Sequence, residues 1–327
     1  MFWRSKESKD SGDKTIVFFA SDLHGSTVCF KKFVNAAKFY GANVLVMGGD
    51  MTGKAVVPIA KQADGSYRAF RSGIEVALTA REEVDEYKRR VTDQGFYPAE
   101  MDEADYQRLR ADKDGQLALF KRLVLERVTE WCEIAGKKLH GTGVPFITAP
   151  GNDDFLEIDD VLRRSPHVRF HEMEVTELNG YEVLHCGGSN WTPWHTEREF
   201  SEAQYEERFR ALAPRVKDMT RCIFNVHCPP HGTALDRCPK LDDSLQVVYE
   251  MGNPVQIHAG STAVRAAIEQ HRPLLGLHGH IHEGRGNVKL GGTTCVNPGS
   301  VYPEGILQGV LVTLAGGRVE SVQMTQG

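Results

Sequence analysis

The stretch Leu274-Leu-Gly-Leu-His-Gly-His-Ile-His282 decides how this chain is read. Leu274 to Leu277, after Pro273, is a short apolar run that fits a buried strand. Its carboxyl end presents His278, His280 and His282 at alternate positions. On an extended backbone alternate side chains point the same way, so His280 and His282 are expected to face one point. That geometry suits a transition metal. Standing alone, the stretch reads equally well as a polar loop whose histidines only form hydrogen bonds. The rest of the chain decides.

Four other segments end in the same manner. Thr15–Ser21 is a continuous apolar run, as expected of a strand covered on both faces, and it leads into Asp22-Leu-His24. Val28, Phe30, Phe33, Val34, Ala37 and Phe39 then recur near helical period, with Gly41 as a stop. Asn43-Val-Leu-Val-Met-Gly-Gly-Asp50 is a second buried strand ending in a carboxylate. Strand, helix and strand form a βαβ unit, which predicts a parallel sheet and an α/β fold. Val144–Ala149 is a third such strand, with Pro150-Gly-Asn-Asp-Asp154 at its end, and Arg221–Val226 leads into His227. Asn179-Gly180, between Val168–Leu178 and Tyr181–Cys186, predicts a hairpin. A second hairpin is expected around Gly291-Gly292, a helix from Ser261 or Thr262 through Gln270, and a last strand over Gly305–Leu314.

Between about residues 54 and 143 the pattern changes. A short hairpin around Ala63-Asp-Gly65 gives way to charged sequence with opposite charges four apart, as in Asp85/Arg89 and Glu86/Arg90. Phe120, Leu123, Val124, Val128, Trp131 and Ala135 make an apolar helical stripe. The region reads as a mainly helical insertion into a single domain over 15–327, either solvated helices or a lid or a contact for a homo-oligomer. Residues 1–14 read as a flexible tail.

Composition narrows the function. The 327 residues carry a formal net charge of −5, which argues against a surface built for a nucleic-acid polymer or an anionic membrane. Seven cysteines without Cys-x-x-Cys spacing are expected to be reduced thiols. No apolar leader and no apolar run of about 20 residues is present, so a cytoplasmic location is expected.

Asp22, His24, Asp50, Asn152, His227, His280 and His282 thus stand at strand ends, where layered α/β folds gather reacting groups. Imidazole, carboxylate and one amide oxygen suit Mn, Fe or Zn better than Mg or Ca. Seven ligands are too many for one such ion but suit two that share a carboxylate. Two ions about 3.5–4 Å apart clamp the attacking and leaving oxygens of a phosphoryl displacement.

In order, Asp22-x-His24, Gly49-Asp50, Gly151-Asn152, His227 and Gly279-His-x-His282 resemble the motifs of the calcineurin-like metallophosphoesterases. His227-Cys-Pro-Pro-His-Gly-Thr-Ala-Leu-Asp236, His258-Ala-Gly-Ser261 and Val296-Asn-Pro-Gly-Ser300 look like the Icc-related branch of predicted phosphoesterases. The resemblance implies a four-layer αββα sandwich with two mixed sheets. It implies one metal on Asp22, His24 and His282, a second on Asn152, His227 and His280, and Asp50 bridging them. It also implies a phosphoesterase in which a metal-bridging hydroxide attacks a small phosphoester.

One position departs from the pattern: Asp153 stands where many members carry a histidine that protonates the leaving group. Either Asp153 or His231 is then expected to act as the acid, or the substrate needs little help. A small phosphodiester, cyclic or linear and nucleotide-like, is the favoured substrate. The alternatives are a phosphomonoester on the same centre or a non-catalytic scaffold that binds a protein. Gly49-Asp-Met-Thr-Gly-Lys54 lacks the Asp-Arg-Gly continuation expected of protein phosphatases.

Overall fold

A computed structural model describes residues 14–327, so all but Lys14 of the expected tail lies outside the described residues. The βαβ unit opens the fold. β1 (Thr15–Ala20) and β2 (Val44–Met47) pair in parallel around α1 (Thr27–Tyr40). Ser26 caps this helix by accepting from the Cys29 amide, and Gly41 ends it in the left-handed conformation.

The chain then leaves this layer. β3 (Val56–Lys61), β4 (Tyr67–Arg71), β5 (Ile74–Leu78) and β6 (Tyr97–Asp102) form a separate four-stranded sheet, covered by α2 (Arg81–Asp93). Val57, Ile59, Ala69, Leu78, Val84, Tyr87 and Val91 give this unit its own small core. Helices α3 (Glu103–Ala111) and α4 (Lys113–Leu139) follow.

The insertion therefore carries more sheet than expected, because β5 and half of β4 keep little apolar surface to reveal a period of two. Its last helix is fused to the main core: Val124, Val128, Trp131, Cys132 and Ala135 of α4 pack around α1, where Trp131 stacks on Phe30 at 4.2 Å.

From β7 (Phe146–Thr148) onward the main domain resumes. It runs through α5 (Ile158–Arg164), β8 (Arg169–Phe170), β9 (Glu174–Leu178), β10 (Tyr181–Cys186), α6 (Glu202–Leu212) and β11 (Cys222–Val226). It closes with α7 (Thr262–His271), β12 (Leu275–Leu277), β13 (Gly286–Leu290), β14 (Thr293–Asn297), β15 (Gln308–Ala315) and β16 (Arg318–Gln326).

Two six-stranded mixed sheets result, ordered β16-β15-β1-β2-β7-β8 and β13-β14-β12-β11-β10-β9. Alternation along the strands assigns the layers. Val17, Phe19, Val44 and Val46 of the first sheet meet Val183, Ile223, Leu275 and Leu277 of the second in one apolar layer. Phe18, Leu45, Met47 and Phe146 turn the other way, onto α1, α4 and α5. Leu184, Phe224 and Val226 turn onto α6 and α7 through Tyr205, Phe209, Val264 and Ile268. This is the expected four-layer αββα sandwich. All three expected hairpins are present, and β16 is an additional edge strand.

His185 on β10 is fully buried, with Thr176 Oγ1 at 2.9 Å from Nε2 and Asn225 Nδ2 at 3.1 Å from Nδ1. Burial, reinforced by His171, pushes its imidazole down to about 3. An unfolded imidazole titrates near 6.5, so the stability this residue contributes is full above pH 6.5 and is lost as pH falls from 6.5 towards 3. At pH 5 the loss is about 2 kcal/mol. Urea midpoints measured between pH 7 and pH 5 are expected to fall less steeply in His185→Gln than in the wild type.

Candidate metal centre

The carboxyl ends of β1, β2 and β7 in one sheet and of β11 and β12 in the other open along a shared edge. Backbone hydrogen bonds continue past the strands and fix the loops. Asp22 N donates to Gly49 O at 3.0 Å, His24 N to Asp50 O at 3.0 Å and Gly279 N to His227 O at 2.8 Å. Across the sheets, His280 N donates to the Asp22 carboxylate at 3.0 and 3.1 Å, and Ser300 Oγ donates to Asp22 O at 2.6 Å.

Two glycines permit this closeness. A Cβ on Gly151 would lie 2.0 Å from Asp50 Oδ1, and one on Gly279 would lie 2.1 Å from Ser21 Oγ and 2.4 Å from Asp22 Oδ2. Any larger residue at either position would push the loops apart.

Six of the seven residues expected as ligands gather here, and Asn152 stands in the adjoining loop at 151–154. Asp22, His24 and His282 offer ligand atoms all within 4.8 Å of one another, and so do Asp50, His227 and His280. Asp50 also groups with His24 and Asp153, so it stands between the two triads. Nε2 of His24 and of His282 are 3.0 Å apart. His227 Nε2 lies 3.4 Å from Asp50 Oδ2 and 3.9 Å from Asp22 Oδ1.

The route to this geometry differs from the sequence argument. β12 ends at Leu277, and His280 has a φ of 66°, so the pair is delivered by a left-handed kink and not by an extended strand.

Polar groups in the cluster point to cations. His227 Nδ1 is 2.8 Å from Gly48 O, to which it donates, so Nε2 is the ring nitrogen turned to the cluster. That Nε2 and Asn152 Oδ1 are buried without a hydrogen-bond partner. Both are metal-donor atoms in the positions where the resemblance places ligands. An orphaned acceptor of this kind is costly unless a cation meets it. The residues therefore fit two divalent ions of the nitrogen- and oxygen-binding class.

Titration of the cluster is split by its own field. Burial raises Asp50, against the pull of His227, to about 6. Burial alone would raise Asp22, but the hydrogen bond from His282 and the charges of His227, His282 and His24 outweigh it and hold Asp22 well below the usual carboxylate range. His227 is opposed by burial yet pushed up to about 10 by Asp50 and Asp22, whereas burial and the His227 charge take His280 down to about 3.

The two residues expected as acids are placed differently. Asp153 reaches the cluster: its amide donates to Asp50 Oδ1 at 2.8 Å, and its Oδ2 lies 3.6 Å from His24 Nδ1 and 3.0 Å from Lys54 Nζ. His231 is pinned to the start of α7 by a bond from its amide to Ser261 O, and its ring sits beside Asp236 and His258. No contact with the two triads is found for it among the described residues.

The sequence reading missed the supports. Asp154, fully buried, accepts from Met51 N, Thr52 N and Gly151 N and so ties the second and third loops together. Tyr302 packs against His24 at 4.9 Å and His282 at 6.1 Å. Lys54 ends the quoted Gly49–Lys54 motif, which was the one available signal.

No protein-family model matches the chain. The uncharacterized protein MJ1162 of Methanocaldococcus jannaschii is 32% identical over 154 residues, covering 46% of this chain and 62% of that protein. The chain thus matches less than two thirds of that relative's length. Two solved structures share the fold. One is 16% identical with a TM-score of 0.59 and covers 96% of this chain and 99% of its own. The other, TT1561 of Thermus thermophilus, is 18% identical with a TM-score of 0.51 and covers 92% and 98%. The likeness to both is one of fold, two facing mixed sheets between helical layers. No helix among the described residues is long and apolar enough to cross a membrane.

Removing the Asp154 carboxylate leaves three amide donors without their acceptor. Asp154→Ala is expected to lose about 3 kcal/mol or more of unfolding free energy in urea. Asp154→Asn, which keeps one acceptor oxygen, is expected to lose less.

Proposed function

We propose that the chain is a dinuclear metal-dependent phosphoesterase acting on a small phosphodiester. The triad of Asp22, His24 and His282 beside the triad of Asp50, His227 and His280, with Asn152 Oδ1 and His227 Nε2 buried and unpaired, carries this reading. Asp22, His24 and His282 would hold one ion; Asn152, His227 and His280 would hold the other, with Asp50 shared. Bound there, the ions would polarise the phosphoryl oxygens and make water nucleophilic at neutral pH.

The chain's own residues orient this chemistry. Gly48 O fixes the His227 tautomer, and Tyr302 walls His24 and His282 on one side. Asp153 is paired with the Lys54 ammonium and anchors it beside the cluster. Lys54 is then the N–H donor free to meet a phosphate oxygen.

Charge supports the diester over the monoester. Asp153 adds a third carboxylate beside Asp22 and Asp50, against the single lysine. A monoester brings about two negative charges at neutral pH and a diester one, so the extra carboxylate discriminates against the monoester.

Metal-stripped protein refilled with Mn²⁺, Zn²⁺ or Fe²⁺ is expected to hydrolyse bis-p-nitrophenyl phosphate in preference to p-nitrophenyl phosphate. Chelation should abolish the activity, and Asp50→Asn should lower kcat/KM by about a hundredfold or more. A preference for the monoester would move the assignment to a phosphomonoesterase on the same centre. Inactivity despite confirmed uptake of two ions would favour a non-catalytic, partner-binding role.

A further inference from the structure

Beside the metal centre the chain holds a large aromatic ring out in the open. Trp194 lies in Trp191-Thr-Pro-Trp-His195 and is 56% exposed, although it sits next to a buried polar cluster. Its exposure is not a consequence of slack. Glu199, itself buried, accepts from the amide and hydroxyl of Thr192 at 2.7 and 2.5 Å and from those of Thr196 at 2.9 and 2.7 Å. Four bonds to one carboxylate clamp both sides of the turn. Trp194 N adds a bond to Thr192 Oγ1 at 3.2 Å, and His195 takes a φ of 52° to complete the turn.

The clamp also aims the turn at the site. Thr196 Oγ1 accepts from Asn152 Nδ2 at 3.2 Å, so the loop that bears the tryptophan holds the amide whose Oδ1 is buried and unpaired. Lys54 Nζ lies 5.8 Å from the centre of the Trp194 ring and 3.0 Å from Asp153 Oδ2. One ammonium thus joins the aromatic face to the carboxylate that touches Asp50 and His24. A rigid, solvent-facing indole with a cation over one face presents a flat stacking surface on its exposed side and a charge for the neighbouring anion.

We propose that Trp194 and Lys54 form a substrate subsite that takes the planar base of a nucleotide-type phosphodiester, stacked on Trp194 with Lys54 on the phosphate. The subsite rests on the phosphodiesterase reading above and names the substrate class for it. Stacking on indole is tolerant of base identity, because every base offers a π-face, so the subsite selects for a base without selecting which. Position, and not covalent chemistry, is its contribution: Trp194 touches the part of the substrate that does not react.

Two esters with the same leaving group separate the roles, thymidine 5′-(p-nitrophenyl phosphate) and methyl p-nitrophenyl phosphate. With the metal-loaded full chain, Trp194→Ala is expected to raise KM for the thymidine ester by about tenfold or more, with kcat within about twofold. KM for the methyl ester should not change, and Trp194→Phe should recover most of the loss. Equal effects on both esters, or none on the thymidine ester, would overturn the subsite.

A second readout does not need turnover. Tryptophan fluorescence titrated with thymidine 5′-monophosphate should show saturable quenching that Trp194→Ala removes. If neither ester is hydrolysed but that quenching is present, the enzymatic reading fails and the subsite stands. If the esters are hydrolysed and the quenching is identical in Trp194→Ala, the subsite fails and the enzymatic reading stands.

Discussion

The site depends on one steric constraint: two sheets must bring their carboxyl-end loops closer than side chains ordinarily allow. Between the sheets Gly279 lies against Ser21 and Asp22, and within the first sheet Gly151 lies against Asp50, with no room for a methyl group at either contact. Only this approach lets His280 N reach the Asp22 carboxylate and His227 Nδ1 reach Gly48 O, which are bonds between the sheets. The apolar layer between the sheets supplies the force that closes them. The glycines decide how far they close.

The insertion is tied to the same loops. Ser26 Oγ donates to Asp93 O at the end of α2, Gly53 N donates to Tyr97 Oη on β6, and Arg127 on α4 donates to Gly25 O. Each of these bonds lands within a few residues of His24 or Asp50. The inserted sheet therefore braces the outer side of the first two ligand loops, while its own apolar core lets it keep its shape. A segment that composition marks as charged and solvated is, at its inner rim, part of what holds the centre.

What was legible in the sequence follows from what leaves a period or a motif. Buried strands such as Thr15–Ala20 and Val44–Met47 are continuous apolar runs, so the layering was readable, and the carboxylates and histidines of the two triads stand within a few residues of such runs. Asn179-Gly180 named its hairpin because Asn179 and Gly180 both take positive φ, of 51° and 76°. The inserted sheet was not readable, since the exposed faces of β4 and β5 leave only isolated apolar positions. Nor was the exposed excursion at 237–258, where Tyr249 and Met251 lie in the open and the strands are two or three residues long. Asp154 and Glu199 escaped notice for another reason. Their partners are mainly backbone amides and hydroxyls of nearby turns, which carry no residue signature of their own.

Backbone strain links the ligands to the fold that carries them. Asp22, His24, Asp50 and His280 all have φ between 41° and 66°, a region that non-glycine residues enter at a cost of about 1–3 kcal/mol each. Four such residues within one cluster persist only because their surroundings over-determine them. The amides of Asp22, His24 and His280 are all bonded across loops, and Asp50 is gripped through its carboxylate by Asp153 N. A strained ligand has little freedom to relax, so its donor atom stays where the fold puts it whether or not its neighbours are satisfied. Beside these strained residues His227 Nε2 and Asn152 Oδ1 are buried without hydrogen-bond partners. The ordinary α/β packing of the four layers thus sustains both the strain and the unsatisfied donors, and it delivers in return a centre already shaped before any cation arrives.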